Sequence, residues 1–140
     1  MSIKLGDKCN AWNVFIHETI PNEVPDRDIY FFADGDARIL PGSLTALAEG
    51  LARNPRAHAA SAPPASGRNM KHDRRILLEE RHLVANLYAL RGSFVKDLQA
   101  SKIRLPIGLE GDDGLLGALV KWDLDPAHRG FDHLRIEPCP

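Results

Sequence analysis

Two aspartates that follow a short apolar run have the spacing and position of a metal–phosphate site. Residues 29–33 are mainly β-branched and aromatic, which is typical of a buried strand, and the chain continues as Asp34-Gly-Asp36. In open α/β sheets, ligands bind just beyond the carboxyl ends of the strands. Mg²⁺ and Mn²⁺ prefer oxygen ligands, and Mg²⁺ usually takes one or two carboxylates together with substrate phosphates. The sequence therefore predicts that Asp34 and Asp36 bind a divalent metal.

A purely structural role for the same two aspartates stays open at this point. Asp-Gly is a frequent turn pair, and aspartates often cap the helix that follows a strand. A calcium loop is excluded, because its fifth and sixth positions require an oxygen ligand and a glycine. Counted from Asp34, these positions hold Arg38 and Ile39.

A second group of carboxylates comprises Glu110, Asp112 and Asp113. These residues lie at the end of a predicted loop, where a helix is expected to begin. The dipole and the free N–H groups of a helix N-terminus favour ionised carboxylates. Simple capping needs only one of the three. An ionised carboxylate can also act as a general base that takes a proton from a nucleophilic hydroxyl. The three carboxylates are therefore candidates for a general base, and the resemblance described below implies Asp112 and Asp113 as the catalytic residues.

Composition limits the kinds of partner that the chain can have. The 140 residues suffice for one domain with a core, and 44% of them are hydrophobic. Lysine plus arginine number 18 and aspartate plus glutamate 19, so the net charge of −1 gives no reason to expect nucleic acid as a partner. The only cysteines, Cys9 and Cys139, form neither a zinc motif nor a disulfide framework, and we expect a cytoplasmic setting. The sequence contains no run of 18 apolar residues that would span a membrane.

The residue pattern of the N-terminal half predicts a helix, a strand, a second helix and a second strand, in that order. The first helix would end before Pro21, since proline interrupts a helix. Its apolar face comprises Ala11, Val14 and Phe15. After the strand at 28–33, a second helix would begin at Pro41, because proline suits the first helical position. Its buried stripe comprises Leu44, Leu47, Ala48 and Leu51. Residues 57–62 then predict a short strand.

The C-terminal half is less regular. The basic run 68–75 predicts a solvated helix face, with phosphate binding as the alternative. Residues 87–90 fit either a helix or a strand, and Ser93 is expected to cap the next helix. Residues 103–107 are expected to be extended, a last helix would begin at Asp112 or Asp113, and the tail after Trp122 is expected to be irregular. Alternation of strands and helices predicts an α/β layered fold.

The segments from residue 8 to about residue 119 resemble the inverting family-two glycosyltransferases, which have a GT-A fold. Residues 8–13 (KCNAWN) match the Lys-x-x-Ala-x-Asn-like segment that precedes the strand bearing the family's Asp-x-Asp motif. That motif is matched by residues 34–36, and its usual Pro-x-x-Leu continuation by residues 41–44.

Two later segments extend the resemblance. Residues 112–116 (DDGLL) match the Glu-Asp-x-x-Leu motif of the family, with Asp112 in place of the glutamate. Residues 87–93 are similar to the stretch before that motif. The resemblance implies a Rossmann-like layered α/β fold with a mixed, mostly parallel sheet flanked by helices.

The resemblance also implies roles for individual residues. Asp36, helped by Asp34, would hold Mn²⁺ or Mg²⁺ against the diphosphate of a nucleotide-sugar, most simply a UDP-sugar. Lys8 and Asn13 would line the nucleotide side, to which Asp34 also contributes. Asp113 would deprotonate the acceptor hydroxyl, which attacks the anomeric carbon with inversion.

The chain departs from the family in what precedes residues 8–13. The family places its nucleotide-binding strands before that segment, so residues 1–140 resemble a single truncated domain, the C-terminal catalytic half. Activity of this half alone stays open, as does membrane association of a longer parent. The Gln-x-x-Arg-Trp motif of processive members is also absent. Without the first half, strand 29–33 would be an apolar edge, which predicts self-association, most simply as a two-fold dimer.

Two rival functions stay open. Haloacid-dehalogenase-type phosphatases also place Asp-x-Asp after an apolar strand and use a later Gly-Asp-Asp for Mg²⁺, as residues 111–113 would allow. Asp34 would then be the nucleophile and Asp36 the general acid. That family expects Gly-Thr or Gly-Val directly after the second aspartate, where this chain has Ala37-Arg38. A catalytically silent α/β module that binds a partner is the other alternative.

Overall fold

The computed structural model describes residues 5–140, and this part of the chain contains four strands and six α-helices. The strands are β1 (Ile29–Ala33), β2 (Ala59–Ser61), β3 (Leu87–Arg91) and β4 (Ile136–Pro138). The helices are α1 (Lys8–Val14), α2 (Ile20–Glu23), α3 (Ser43–Arg53), α4 (Met70–Glu80), α5 (Gly92–Ser101) and α6 (Asp112–Lys121). A π-helical turn (Phe15–Thr19) joins α1 to α2, and a 3₁₀ turn (His133–Arg135) precedes β4.

The four strands form one mixed sheet in the order β1-β3-β2-β4. The predicted α/β class, with a mixed sheet flanked by helices, is confirmed. Mostly parallel pairing is not observed, since β3 runs antiparallel to both neighbours and only β2 and β4 are parallel. The chain between β2 and β3 returns to the same end of the sheet, where Ala62 N–H donates to Leu87 C=O at 3.2 Å. Ser61 closes this connection by exchanging two hydrogen bonds of 3.0 Å with the backbone of Val84.

The sheet buries side chains on both of its faces, as the alternation along β3 requires. Tyr88 and Leu90 point towards α1, α5 and α6, and their cluster includes the fully buried Phe94. Leu87 and Ala89 point towards α3 on the other face. Burial of each large apolar side chain contributes about 1.5–3 kcal/mol. This double burial explains why residues 87–90 read as a continuous apolar run that fitted helix or strand equally.

The first helical region extends through Pro21, contrary to the prediction. Asp7 caps α1 by accepting a hydrogen bond of 2.9 Å from the N–H of Asn10. The π-helical turn leads directly into α2, whose first turn contains Pro21. The buried face is also rotated from the predicted one, and it comprises Cys9, Trp12, Asn13, Ile16 and Ile20.

Helix α3 begins at Ser43 rather than Pro41, because Gly42 before it has a left-handed φ of 83°. Leu47 and Leu51 are buried as predicted, whereas Leu44 is 41% exposed. The buried stripe is therefore narrower than expected. At the other end, the guanidinium of Arg91 donates to the carbonyls of Leu51 and Asn54, which ties the end of α3 to β3.

The C-terminal half confirms some predictions and corrects others. The basic run lies largely on the exposed side of α4, as a solvated helix face should. Ser93 makes no capping hydrogen bond, since α5 begins one residue earlier. Residues 103–107 form a loop. The tail contains β4, whose Ile136 pairs in parallel with Ala59, and three residues were too few to predict this strand. No helix within residues 5–140 has the length and apolar character needed to cross a membrane.

Glycine is required at position 92, which yields a test of the fold. A methyl group at Gly92 would overlap the carbonyl oxygen of Arg27, a backbone atom that cannot easily move. Gly92→Ala should therefore lower the free energy of unfolding by about 1–3 kcal/mol, as overpacking does. Chemical denaturation followed by circular dichroism measures this change. Gly114→Ala is the matched control, because a methyl group there meets nothing within 4 Å and should stabilise α6 by about 0.5–1 kcal/mol. Equal changes in the two variants would contradict the packing described for Gly92.

Candidate functional site

The two predicted carboxylate groups meet at the ammonium of Lys8. Lys8 Nζ lies 3.0 Å from Asp34 Oδ1 and 3.2 Å from Asp112 Oδ2. Lys8 is the first residue of α1, Asp34 follows the last residue of β1, and Asp112 is the first residue of α6. Three segments far apart in sequence thus present their charged ends at one place, which is the carboxyl end of β1.

A cleft of about 540 Å³ opens beside this ion pair. Its polar lining includes Lys8, Asp34 and Asp36. The rest of its lining contains small residues and an aromatic wall, which comprises Trp12, Phe15, Phe31, Phe32 and Tyr88. The cleft therefore combines an acidic and basic rim with a large aromatic surface, as expected of a site for a charged ligand with a planar or apolar part.

The aromatic wall is ordered by direct ring contacts. Phe32 stacks on Tyr88 with ring centroids 4.9 Å apart and an interplanar angle of 5°. Phe15 meets the edge of Phe32 at 5.7 Å and 84°. Such pairs contribute about 0.5–1.5 kcal/mol beyond their buried area. The contacts join the π-helical turn to β1 and β3, so the wall is held by three elements.

A smaller cavity of about 230 Å³ adjoins the cleft and also contains Lys8 and Asp34 in its lining. Its further acidic residues are Asp73, Asp112 and Asp113. Lys8 and Asp34 thus belong to the walls of both spaces. Asp36 faces only the larger space and Asp113 only the smaller one.

Asp34 and Asp36 lie in a tight turn directly after β1. Ala37 N–H donates to Asp34 C=O at 2.9 Å, and Asp34 N–H donates to Asn86 C=O at 3.1 Å. Within residues 5–140, no group of three or more histidine, cysteine or acidic side chains is arranged to hold a metal. Two carboxylates on one turn fit only an ion that takes its other ligands from phosphate and water, which is the usual habit of Mg²⁺.

The start of α6 uses its two aspartates differently. Asp113 Oδ1 accepts a hydrogen bond of 2.9 Å from the N–H of Gly114, which also donates to Gly111 C=O at 3.1 Å. Asp112 pairs with Lys8 instead. Asp113 therefore makes a contact within its own helix, whereas Asp112 reaches out to another element. Glu110 is exposed and lines neither of these two cavities.

Burial and charge act in opposite directions on Lys8. Partial burial alone would lower the pKa of its ammonium, but the hydrogen bond to Asp34 and the charge of Asp112 outweigh this and raise the pKa. Lys8 therefore stays charged through neutral pH. Burial also raises the pKa of the Tyr88 phenol, and the nearby carboxylates of Asp112 and Asp34 raise it further, while the indole of Trp12 opposes the shift.

Asn13, which the sequence predicted on the nucleotide side, does not line either cavity. It is buried, and its amide makes two hydrogen bonds of 2.8 Å with the backbone N–H and C=O of Leu105. Since both polar atoms are engaged, Asn13 fixes the 103–107 loop against α1. The predicted binding role of Asn13 stays a prediction.

The aromatic wall was missed by sequence reasoning. Trp12, Phe15 and Tyr88 come from segments whose meeting depends on the tertiary fold, and no local spacing links them. The only signal was the pair of phenylalanines next to Asp34. Phosphate binding by the basic run 68–75 gains no support from these two cavities. The arginines of the run and Lys71 line neither cavity, and the run contributes only Asp73 to the smaller one.

A double-mutant cycle tests the central ion pair. Lys8→Met and Asp112→Asn should couple by about 0.2–1 kcal/mol in the free energy of unfolding, a small value because the Lys8 side chain is 53% exposed. The coupling should fall with added salt. Since the pKa of Lys8 is raised above its ordinary 10.5, the coupling should persist at pH 7–9 and disappear only as the pH rises above that value.

Urea denaturation of the four proteins of this cycle measures the coupling. Asp113→Asn replaces Asp112→Asn in the control cycle and should couple more weakly, because the Asp113 carboxylate is engaged by Gly114 N–H. Equal coupling in the two cycles would mean that Lys8 senses the general charge of α6 rather than a specific partner.

Comparison with known proteins provides no family assignment. No protein-family model, no curated protein and no solved structure gives a match to the chain. The α/β architecture and the cleft are therefore known from the structure itself, and a functional assignment has to come from the chemistry of the residues gathered around Lys8.

Proposed function

We propose that the chain binds the metal and the acceptor in the reaction of an inverting glycosyltransferase, which moves a sugar from a nucleoside-diphosphate sugar to a hydroxyl group. The observation that supports this most is the double ion pair of Lys8 with Asp34 and Asp112. Three of the segments that carry the resemblance to this family, residues 8–13, 34–36 and 112–116, meet at this ion pair.

The division of the site into two adjoining spaces also supports the proposal. An inverting displacement needs the leaving group and the attacking hydroxyl on opposite sides of the sugar carbon. Asp36 faces the larger cleft and Asp113 the smaller cavity, with Lys8 and Asp34 common to both linings. The donor diphosphate would occupy the larger space, and the acceptor would enter from the smaller one.

Each residue then has a defined task. Asp34 and Asp36 would hold a divalent ion, which when bound offsets the charge that grows on the diphosphate. The Lys8 ammonium adds a fixed positive charge beside the same phosphates. The rings of Phe32 and Trp12 supply apolar surface for the planar parts of the donor. Asp113 takes the proton of the acceptor hydroxyl as general base.

Calorimetry tests donor binding. Mn²⁺ and uridine diphosphate together should bind more tightly than either alone, and Asp36→Ala should weaken this binding by at least about tenfold. Asp28→Ala is the matched control, since Asp28 is another exposed carboxylate at the opposite end of β1. Equal heats for the two variants would count against a metal role of Asp36.

Tryptophan fluorescence provides an independent readout of the same binding event. The chain has two tryptophans, and Trp122 packs against Phe131 rather than lining the cleft. In a Trp122→Phe background, Mg²⁺ with uridine diphosphate should change the emission of Trp12, and Asp36→Ala should reduce the response at a fixed ligand concentration.

An activity assay separates the transferase from its rivals. The chain should not hydrolyse p-nitrophenyl phosphate in the presence of Mg²⁺. If it releases uridine diphosphate from a UDP-sugar, Asp113→Asn should abolish release and leave the calorimetric heat unchanged. Phosphate release that disappears in Asp34→Asn would replace the proposal by a haloacid-dehalogenase-like phosphatase. If the chain neither binds nor turns over any of these compounds, the result would favour a catalytically silent module.

A further inference from the structure

Strand β1 lies at the edge of the sheet and bonds to β3 on one side only. Hydrogen bonds at both ends of the strand fix which of its residues face β3. Asp28 C=O accepts from Gly92 N–H at 2.7 Å, and Asp34 N–H donates to Asn86 C=O at 3.1 Å. In an antiparallel pair, only alternate residues exchange hydrogen bonds with the neighbour. The even-numbered residues of β1 therefore bond to β3.

The backbone groups of Ile29, Phe31 and Ala33 consequently point to the open side. No other strand pairs with them within residues 5–140. The side chain of Phe31 is 40% exposed, because α3 packs mainly over β2 and β3 on that face of the sheet. A row of unpaired N–H and C=O groups beside an exposed apolar ring is a template for another strand.

A second copy of this chain fits the edge poorly. If two copies paired antiparallel about Phe31, Asp28 of one would face Asp34 of the other, and the aspartates at positions 26 and 36 would lie near the same two ends of the strand pair. Like charges directly opposite each other destabilise a strand pair. The acidic residues at both ends of β1 thus oppose the self-association that the sequence suggested.

The same charges favour a different occupant. Asp28 and Asp36 are exposed, and neither has an ion-pair partner among the described residues. The other two aspartates are already paired, Asp26 with Lys96 and Asp34 with Lys8. An incoming strand would therefore meet one free carboxylate near each of its ends and an apolar ring at its centre.

We propose that the free edge of β1 binds an extended segment of a partner polypeptide, with β-branched or apolar residues at its centre and a basic residue at each end. Backbone hydrogen bonds to Ile29, Phe31 and Ala33 would add this segment as a fifth strand. Its basic side chains would pair with Asp28 and Asp36. Docking at this edge does not require the sugar chemistry proposed above, but Asp36 is common to both proposals, so a bound metal ion and a basic residue of the partner would compete for its carboxylate.

A designed peptide tests strand addition directly. The probe is a short capped peptide of alternating valine and threonine with a lysine at each end. At saturation, amide hydrogen exchange measured by NMR should slow by about tenfold or more at Ile29, Phe31 and Ala33. Tyr30 and Phe32, whose N–H groups already bond to β3, should change little. N-methylation of the peptide on the side facing β1 should abolish binding, whereas methylation of the alternate amides should preserve it.

Charge reversal tests the selectivity. A peptide with glutamate at each end should bind about tenfold more weakly than the lysine peptide, measured by fluorescence anisotropy. The double variant Asp28→Lys with Asp36→Lys should reverse this preference. Loss of discrimination without reversal would contradict the pairing with these two carboxylates.

Two outcomes in the absence of peptide would overturn the proposal. Slow exchange at Ile29, Phe31 and Ala33 in a monomer would mean that the chain already covers its own edge. Slow exchange in a dimer that dissociates on dilution, seen by sedimentation velocity, would make a second copy the occupant.

Discussion

The arrangement of the molecule depends on β3, which is the one strand within residues 5–140 that bonds to an antiparallel neighbour on each side. Its alternate residues give hydrogen bonds to β1 and to β2, and its side chains are buried on both faces of the sheet. The position of β1, and with it the turn that carries Asp34 and Asp36, follows from this one strand. So does the location of Tyr88, which forms part of the aromatic wall. Weak pairing at β3 would therefore disperse the site as well as the fold.

Charged residues at the cleft are paired with one another through Lys8. Two carboxylates from distant segments approach a single ammonium, which holds them close together. Exposed pairs of this kind contribute little to stability. Their value lies in position, because the long, flexible lysine side chain follows the carboxylates while Asp36 stays free of any ion pair in the described residues. A phosphate ligand would find both signs of charge already in place.

The sequence predicted those elements that show an apolar pattern within a single segment. The apolar run before Asp34 gave β1, and the stripe with Leu47 and Leu51 gave α3. Patterns failed where tertiary structure decides: Pro21 is accommodated by a π-helical turn, and β4 forms because Ile136 has β2 beside it. The two carboxylate groups were recognised from residue type and order. Their meeting at Lys8, the aromatic wall and the engagement of Asn13 by Leu105 depend on contacts between distant segments.

The boundary between the two cavities consists in part of a side chain rather than of backbone. Lys8 and Asp34 belong to both linings, and the Lys8 side chain is about half exposed. Exposed side chains change rotamer within picoseconds to nanoseconds, far faster than loops or domains move. Asp34 and Ala85 also line both spaces, so rotation about the single bonds of Lys8 would change only the part of the boundary that this side chain forms. The rest of the boundary is set by where β1 ends and where the segment before β3 lies.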